Sequence, residues 1–76
     1  MKDLVNYIVK EITGTDSIEI EETSENDHVN FEIKAEPEFI GLIIGKSGRT
    51  IKSIRNILRV KAVLDKKSVS VSVSEK

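Results

Sequence analysis

Nine residues near the middle of the chain, Ile43-Ile44-Gly45-Lys46-Ser47-Gly48-Arg49-Thr50-Ile51, constrain its architecture most. Two glycines bracket a lysine and a serine, with apolar residues on both sides. Glycine admits positive φ and lets another backbone come very close. Such a stretch reads as a tight connection between two helices. Before it, Pro37 favours a helical first turn and Glu38 suits the positive end of a helix dipole. A short helix over about 38–44 then presents Phe39, Ile40, Leu42 and Ile43. After it, a longer helix over about 48–64 carries Ile51, Ile54, Leu58 and Ala62 as its inward stripe.

The rest of the chain supplies what this pair must pack against. Asp3 can cap a first helix over about 3–13, whose apolar positions are Leu4, Val5, Ile8, Val9 and Ile12, and Gly14 supplies its stop. Tyr7, the only tyrosine, reads as a core-edge residue ahead of a base-stacking one. Ser17-Ile18-Glu19-Ile20-Glu21 alternates with period two, as a half-buried strand does. Ser24-Glu25-Asn26-Asp27 is turn chemistry. Val29, Phe31, Ile33 and Ala35 alternate again, so the two strands form an antiparallel hairpin with His28 at its turn. Val69, Val71 and Val73 alternate with serines in a last strand.

The predicted order is α-β-β-α-α-β. Two helices join the second and third strands, and a crossover of that kind makes adjacent strands parallel and right-handed. The expected fold is α+β, a three-stranded mixed sheet with three helices on one face. Glu19, Glu21, Asn30, Glu32, Ser70 and Ser72 would face water.

At 76 residues the chain is expected to be one domain, residues 1–76, with a modest core. It has no cysteine, hence no disulfide framework or thiolate metal site. No apolar run approaches a membrane span, and Asp3 and Asn6 interrupt any apolar signal-like segment. The expected location is the cytoplasm. Net charge is only −1, but it is segregated. Residues 1–37 hold 3 lysines and 10 carboxylates, a net −7; residues 38–76 hold 9 Lys/Arg and 3 carboxylates, a net +6. Asymmetry between halves points to an anionic partner, set against the plainer reading of a well-solvated surface.

The glycine stretch sits in the basic half. Lys46 offers a charge and Ser47 a hydroxyl to phosphate oxygens, and the following helix aims free N–H groups at the same place. Gly41 leaves a gap where a base could lie against Ile40 and Ile44. Lys52, Arg55 and Arg59 form a basic stripe at i, i+3 and i+7, with Arg49 nearer the loop. Most such stripes are solvated helix faces. Beside a glycine loop, this one reads as a rim for phosphates over an apolar floor for bases.

Other chemistry is poorly supported. Gly45-Lys46-Ser47 ends like a nucleotide-binding P-loop, but that motif needs glycine at position 40, where Ile40 stands, and a preceding strand. With one histidine and no cysteine, no nucleophile–base pair or catalytic constellation emerges. No catalytic residue, metal ligand or cofactor is expected, and His28 reads as a surface residue.

At Ile43 to Ile51 the sequence resembles a KH domain, matching Ile-Ile-Gly-x-x-Gly-x-x-Ile throughout. The element order is similar to the type II, prokaryotic arrangement. Starting at Met1 and ending just after the last strand, the chain resembles the small stand-alone bacterial KhpA (YlqC) family over essentially its whole length. The resemblance implies single-stranded RNA binding, an RNA-chaperone role and homodimers. It also implies heterodimers with a Jag-type partner bearing its own KH domain. In some bacteria the family is linked to cell elongation and shape, and to organisation of the peptidoglycan wall. Carried onto this chain, the GXXG loop is Gly45, Lys46, Ser47 and Gly48, with groove positions Ile44, Arg49 and Ile51.

Two functional readings follow. The first is a sequence-tolerant RNA binder using the loop, Lys52, Arg55 and Arg59. The second is a protein-interaction adaptor whose fold mainly dimerises. Ile57 and Val60, off the inward stripe, are candidate material for a dimer contact, set against ordinary surface exposure.

Overall fold

The structure, a computed structural model, describes residues 1–76. In chain order it comprises α1 (Lys2–Thr13), β1 (Glu19–Glu25), β2 (His28–Ala35), α2 (Pro37–Ile44), a single 3-10 turn (Lys46–Gly48), α3 (Arg49–Leu64) and β3 (Ser68–Glu75). This is the α-β-β-α-α-β order of a type II KH fold.

Helix α1 buries Val5 and Val9. It begins at Lys2 with Met1 as its cap, so Asp3 is not the cap; its carboxylate sits inside the first turn, where the helix dipole still favours it. Gly14 ends the helix at φ 70°, donating its N–H to Lys10 O at 2.7 Å. Tyr7 is 65 % exposed rather than packed at the core edge. It lies two residues from both Val5 and Val9, about 200° round the helix from the buried stripe.

Strand β1 starts later and runs longer than its alternation predicts. Ser17 is held outside the ladder by Thr15, whose Oγ1 donates to Ser17 Oγ (3.0 Å) and accepts from Ser17 N–H (3.2 Å). Such local bonds compete with strand pairing. At the other end Ser24 pairs with Val29 and Glu25 with His28, so the turn is only Asn26-Asp27. Asn26 adopts φ 57°, a conformation asparagine tolerates.

The sheet order is β1-β2-β3, with β2 antiparallel to β1 and parallel to β3. Central β2 buries Val29, Phe31, Ile33 and Ala35 on one face. These meet Val5 and Val9 of α1, Ile43 of α2, and Ile54 and Leu58 of α3. Fully burying a Val, Leu, Ile or Phe side chain contributes about 1.5–3 kcal/mol.

The opposite sheet face is polar. Glu19, Glu21 and Ser72 are exposed, whereas Asn30, Glu32 and Ser70 are half-buried by their neighbours. His28 Nδ1 lies 2.7 Å from Ser68 Oγ, and its Nε2 lies 3.0 Å from Ser70 Oγ. Ser70 Oγ–H donates to Asn30 Oδ1 at 2.6 Å. With that proton committed, Ser70 accepts from Nε2–H and Ser68 donates to Nδ1. The serine–histidine pair, 40 residues apart in sequence, joins β3 to β2 on an open surface.

Candidate nucleic-acid interface

The C-terminus of α2 closes on the first glycine: Gly45 N–H donates to Gly41 O at 2.8 Å. Gly45 then takes φ 76°, ψ 173°, a combination open essentially to glycine alone. The chain winds through one 3-10 turn, closed by Gly48 N–H on Gly45 O at 3.1 Å. Ser47 (φ 56°) and Gly48 (φ 76°) are both left-handed. A non-glycine residue held there costs about 1–3 kcal/mol and persists only when its surroundings fix it. At the base of the loop Gly45 lies in direct contact with Thr50.

This backbone turns Lys46 and Ser47 fully outward. Ile51 is half-buried against the core, anchoring the first turn of α3, while Ile44 remains 37 % exposed. A side chain at Gly41 would meet nothing within 4 Å, so the surface beside Ile44 is open. Leu42 adds further exposed apolar area there.

At about 100° per residue, Arg49, Lys52, Arg55 and Arg59 fall within an arc of about 120° on α3. Arg55 is half-buried and the other three are exposed. Ion pairs within the molecule use Lys10, Lys34, Lys61 and Lys76 only. Lys46, Arg49, Lys52, Arg55 and Arg59 are therefore all unpaired. The fold thus gathers the sequence-predicted site residues, Ile44 to Arg49 with Ile51, Lys52, Arg55 and Arg59, along one loop and the helix it starts. The two surface depressions lie elsewhere, one between α1 and β1 beside the Lys10–Asp16 pair and one beside His28.

Three features escaped the sequence reading. One is the left-handed Ser47. The second is Thr50 as the brace under Gly45; a small residue two places after the second glycine is too common a pattern to single it out. The third is that exposed apolar area on α3 extends beyond Ile57 and Val60 to Val63 and Leu64. No group of His, Asp or Glu side chains converges as a metal site, and no helix is long and apolar enough to cross a membrane.

Residues 2–73 match the family model described as KhpA/KhpB, KH domain. Over 74 residues the chain is 34% identical to the RNA-binding protein KhpA of Clostridium acetobutylicum, covering 96% of this chain and 99% of that protein. It is 36% identical over 76 residues to the RNA-binding protein KhpA of Chlamydia trachomatis, covering 99% and 97%. The same-named protein of Halalkalibacterium halodurans is 28% identical over 74 residues.

Proposed function

The chain belongs to the KhpA/KhpB KH-domain family, and from that premise we propose that it binds single-stranded RNA. The Gly45-Lys46-Ser47-Gly48 loop takes the sugar-phosphate backbone, with about four nucleotides in the groove. Arg49, Lys52, Arg55 and Arg59 extend the phosphate track, while Ile44 and Ile51 floor it for the bases. The observation that carries this reading is the set of five cations, Lys46 included, that lie outside every intramolecular ion pair around a loop of fixed backbone. The protein acts as an RNA chaperone in the cytoplasm, without catalysis. It does so as a homodimer or with a Jag-type KH-domain partner, a working unit tied to cell shape and wall organisation.

The test replaces Lys46 and Ser47 together by Asp. Both side chains are exposed and unpartnered, so circular dichroism should be unchanged while affinity for a short single-stranded RNA is lost. Undiminished affinity in the folded double variant would remove the loop from the site.

A second reading, a protein-interaction adaptor with little RNA affinity, is favoured by exposed Ile57, Val60, Val63 and Leu64 on α3. It expects no titration with RNA below about millimolar concentrations, yet a defined complex with a second KH domain.

A further inference from the structure

The two edges of the sheet are built differently. β1 carries Glu19, Glu21, Glu22 and Glu25 among seven residues, the charging that guards an edge against strand addition. β3, the other edge, has no charged residue from Ser68 to Ser74 and no proline. An unguarded strand of alternating valines is a template for pairing with another chain.

Hydrogen bonds fix which backbone groups of β3 are available. Ser68 N–H donates to Asp27 O at 2.9 Å, and Lys76 N–H to Ala35 O at 2.8 Å. The even-numbered residues of β3 therefore turn their backbone groups toward β2. By strand alternation, Val69, Val71, Val73 and Glu75 turn theirs outward.

The sequence of this edge is self-complementary. Ser-Val-Ser-Val-Ser-Val-Ser, residues 68–74, reads the same in both directions about Val71. A two-fold axis there sets Val71 opposite Val71 of a second copy, Val69 opposite Val73, and Ser68 opposite Ser74. Every valine pair then exchanges both of its N–H···O bonds. Serines meet serines on the polar face and valines meet valines on the core face. Beyond the palindrome the same axis sets Lys67 opposite Glu75 of the second copy, and the reverse. Neither residue makes an ion pair within its own chain, and both are exposed. Moving the axis to Ser70 would set Lys67 opposite Val73, and moving it to Ser72 would set Glu75 opposite Val69, so neither register pairs the two charges. A one-residue slip would set outward groups against inward ones.

We infer that β3 is a self-pairing edge: it joins β3 of a second copy of this chain, antiparallel about Val71, merging two three-stranded sheets into one. The contact is isologous, the same patch meeting itself. It is distinct from the apolar face of α3 and small, so it forms at higher protein concentration.

Amide hydrogen exchange tests this, because it reads the edge itself. With rising protein concentration, from tens of micromolar toward millimolar, the amides of Val69, Val71 and Val73 should slow. Those of Ser70 and Ser72, already turned to β2, should not change. Lys67→Glu and Glu75→Lys each set like charges opposite one another at both ends, and each should weaken self-association roughly tenfold. The double swap Lys67→Glu/Glu75→Lys should restore it. Valine amides that exchange equally fast at every concentration would overturn the inference, as would a double swap that fails to rescue. Protection that appears only when a short single-stranded RNA is added would also overturn it, assigning the edge to the nucleic acid.

Discussion

Gly45 and Thr50 are packed so closely that a Cβ on the glycine would overlap the threonine's Oγ1, standing 2.7 Å from its Cβ and 2.9 Å from its backbone nitrogen. The two glycines of the loop are therefore not equivalent. Gly48 shares a positive φ of 76°, but a Cβ there would meet nothing within 4 Å. Gly48→Ala should cost only the left-handed penalty, about 1–2 kcal/mol. Gly45→Ala adds steric overlap to a backbone region closed to other residues, and should cost about 3 kcal/mol or more. Urea unfolding of the two variants side by side checks the order. Equal losses would mean that the Gly45–Thr50 contact does not hold the loop.

Lys34 explains how the polar sheet face tolerates its acids. Glu21 and Glu32 are directly paired across β1 and β2, an arrangement that like charges disfavour. The Lys34 ammonium lies 2.9 Å from Glu21 and 3.8 Å from Glu32. The hydrogen bond to Glu21 raises its pKa above the usual 10.5; the charges of Glu21, Glu32 and Glu19 add to the effect, and partial desolvation opposes it. A raised folded-state pKa means the contribution is whole below about pH 10.5 and fades as pH climbs through the folded value. Lys34→Gln should lower the unfolding midpoint at neutral pH, and Glu32→Gln should recover part of the loss. The gap between Lys34→Gln and the unmodified protein should narrow in strongly alkaline buffer. A gap constant with pH would show that the ammonium charge is not what relieves the two carboxylates.

Salt dependence reports how far RNA follows the basic arc. If about 2–3 phosphates are neutralised, log K should fall against log salt with a slope of roughly −2, at about −0.7 per contact. Lys46→Ala should flatten that slope more than Arg59→Ala, because Arg59 lies about 15 Å along α3 from Arg49. A slope near zero in the unmodified protein would mean that the arc does not touch the backbone.

The glycine loop, the buried stripes and the strand order were legible because each rests on a local pattern: Gly45 and Gly48 on conformational freedom, Ile54, Leu58 and Ala62 on helical period, Val69, Val71 and Val73 on alternation. Part of what was missed depends on neighbours distant in sequence or on competing bonds. Ser17 looked like strand until Thr15 claimed its backbone N–H. Asp3 looked like a cap, but the helix begins one residue before it. The chemistry of Tyr7 suits the core edge, yet its angle on α1 turns it out. The Ser68–His28 pair exists only because a parallel crossover sets strand ends 40 residues apart side by side. The candidate site itself was readable because it is nearly contiguous, from Ile44 to Arg59.

That site is small, and its size bears on the assembly. If the loop takes about four nucleotides, it offers few contacts against the entropy lost on association, and one copy should bind weakly. Two linked grooves make the second event intramolecular and raise avidity by ~10²–10⁴. Helix α3 has a face to link them. Ile57 is 48% exposed, Val60 64% and Leu64 74%, and they fall within an arc of about 60°, on the far side of the basic residues from the buried stripe. An apolar strip of this kind fits a matching strip on another KH domain. Ile57→Asp places a charge in this strip without touching the core residues Ile54 and Leu58. At tens of micromolar, analytical ultracentrifugation should show the unmodified protein as a dimer and Ile57→Asp as a monomer. The variant should hold a short oligonucleotide as well as before but lose most of its advantage on RNA long enough to span two grooves. Two monomers in the centrifuge would mean that this face does not join identical copies, leaving a heteromeric KH partner to supply the second groove.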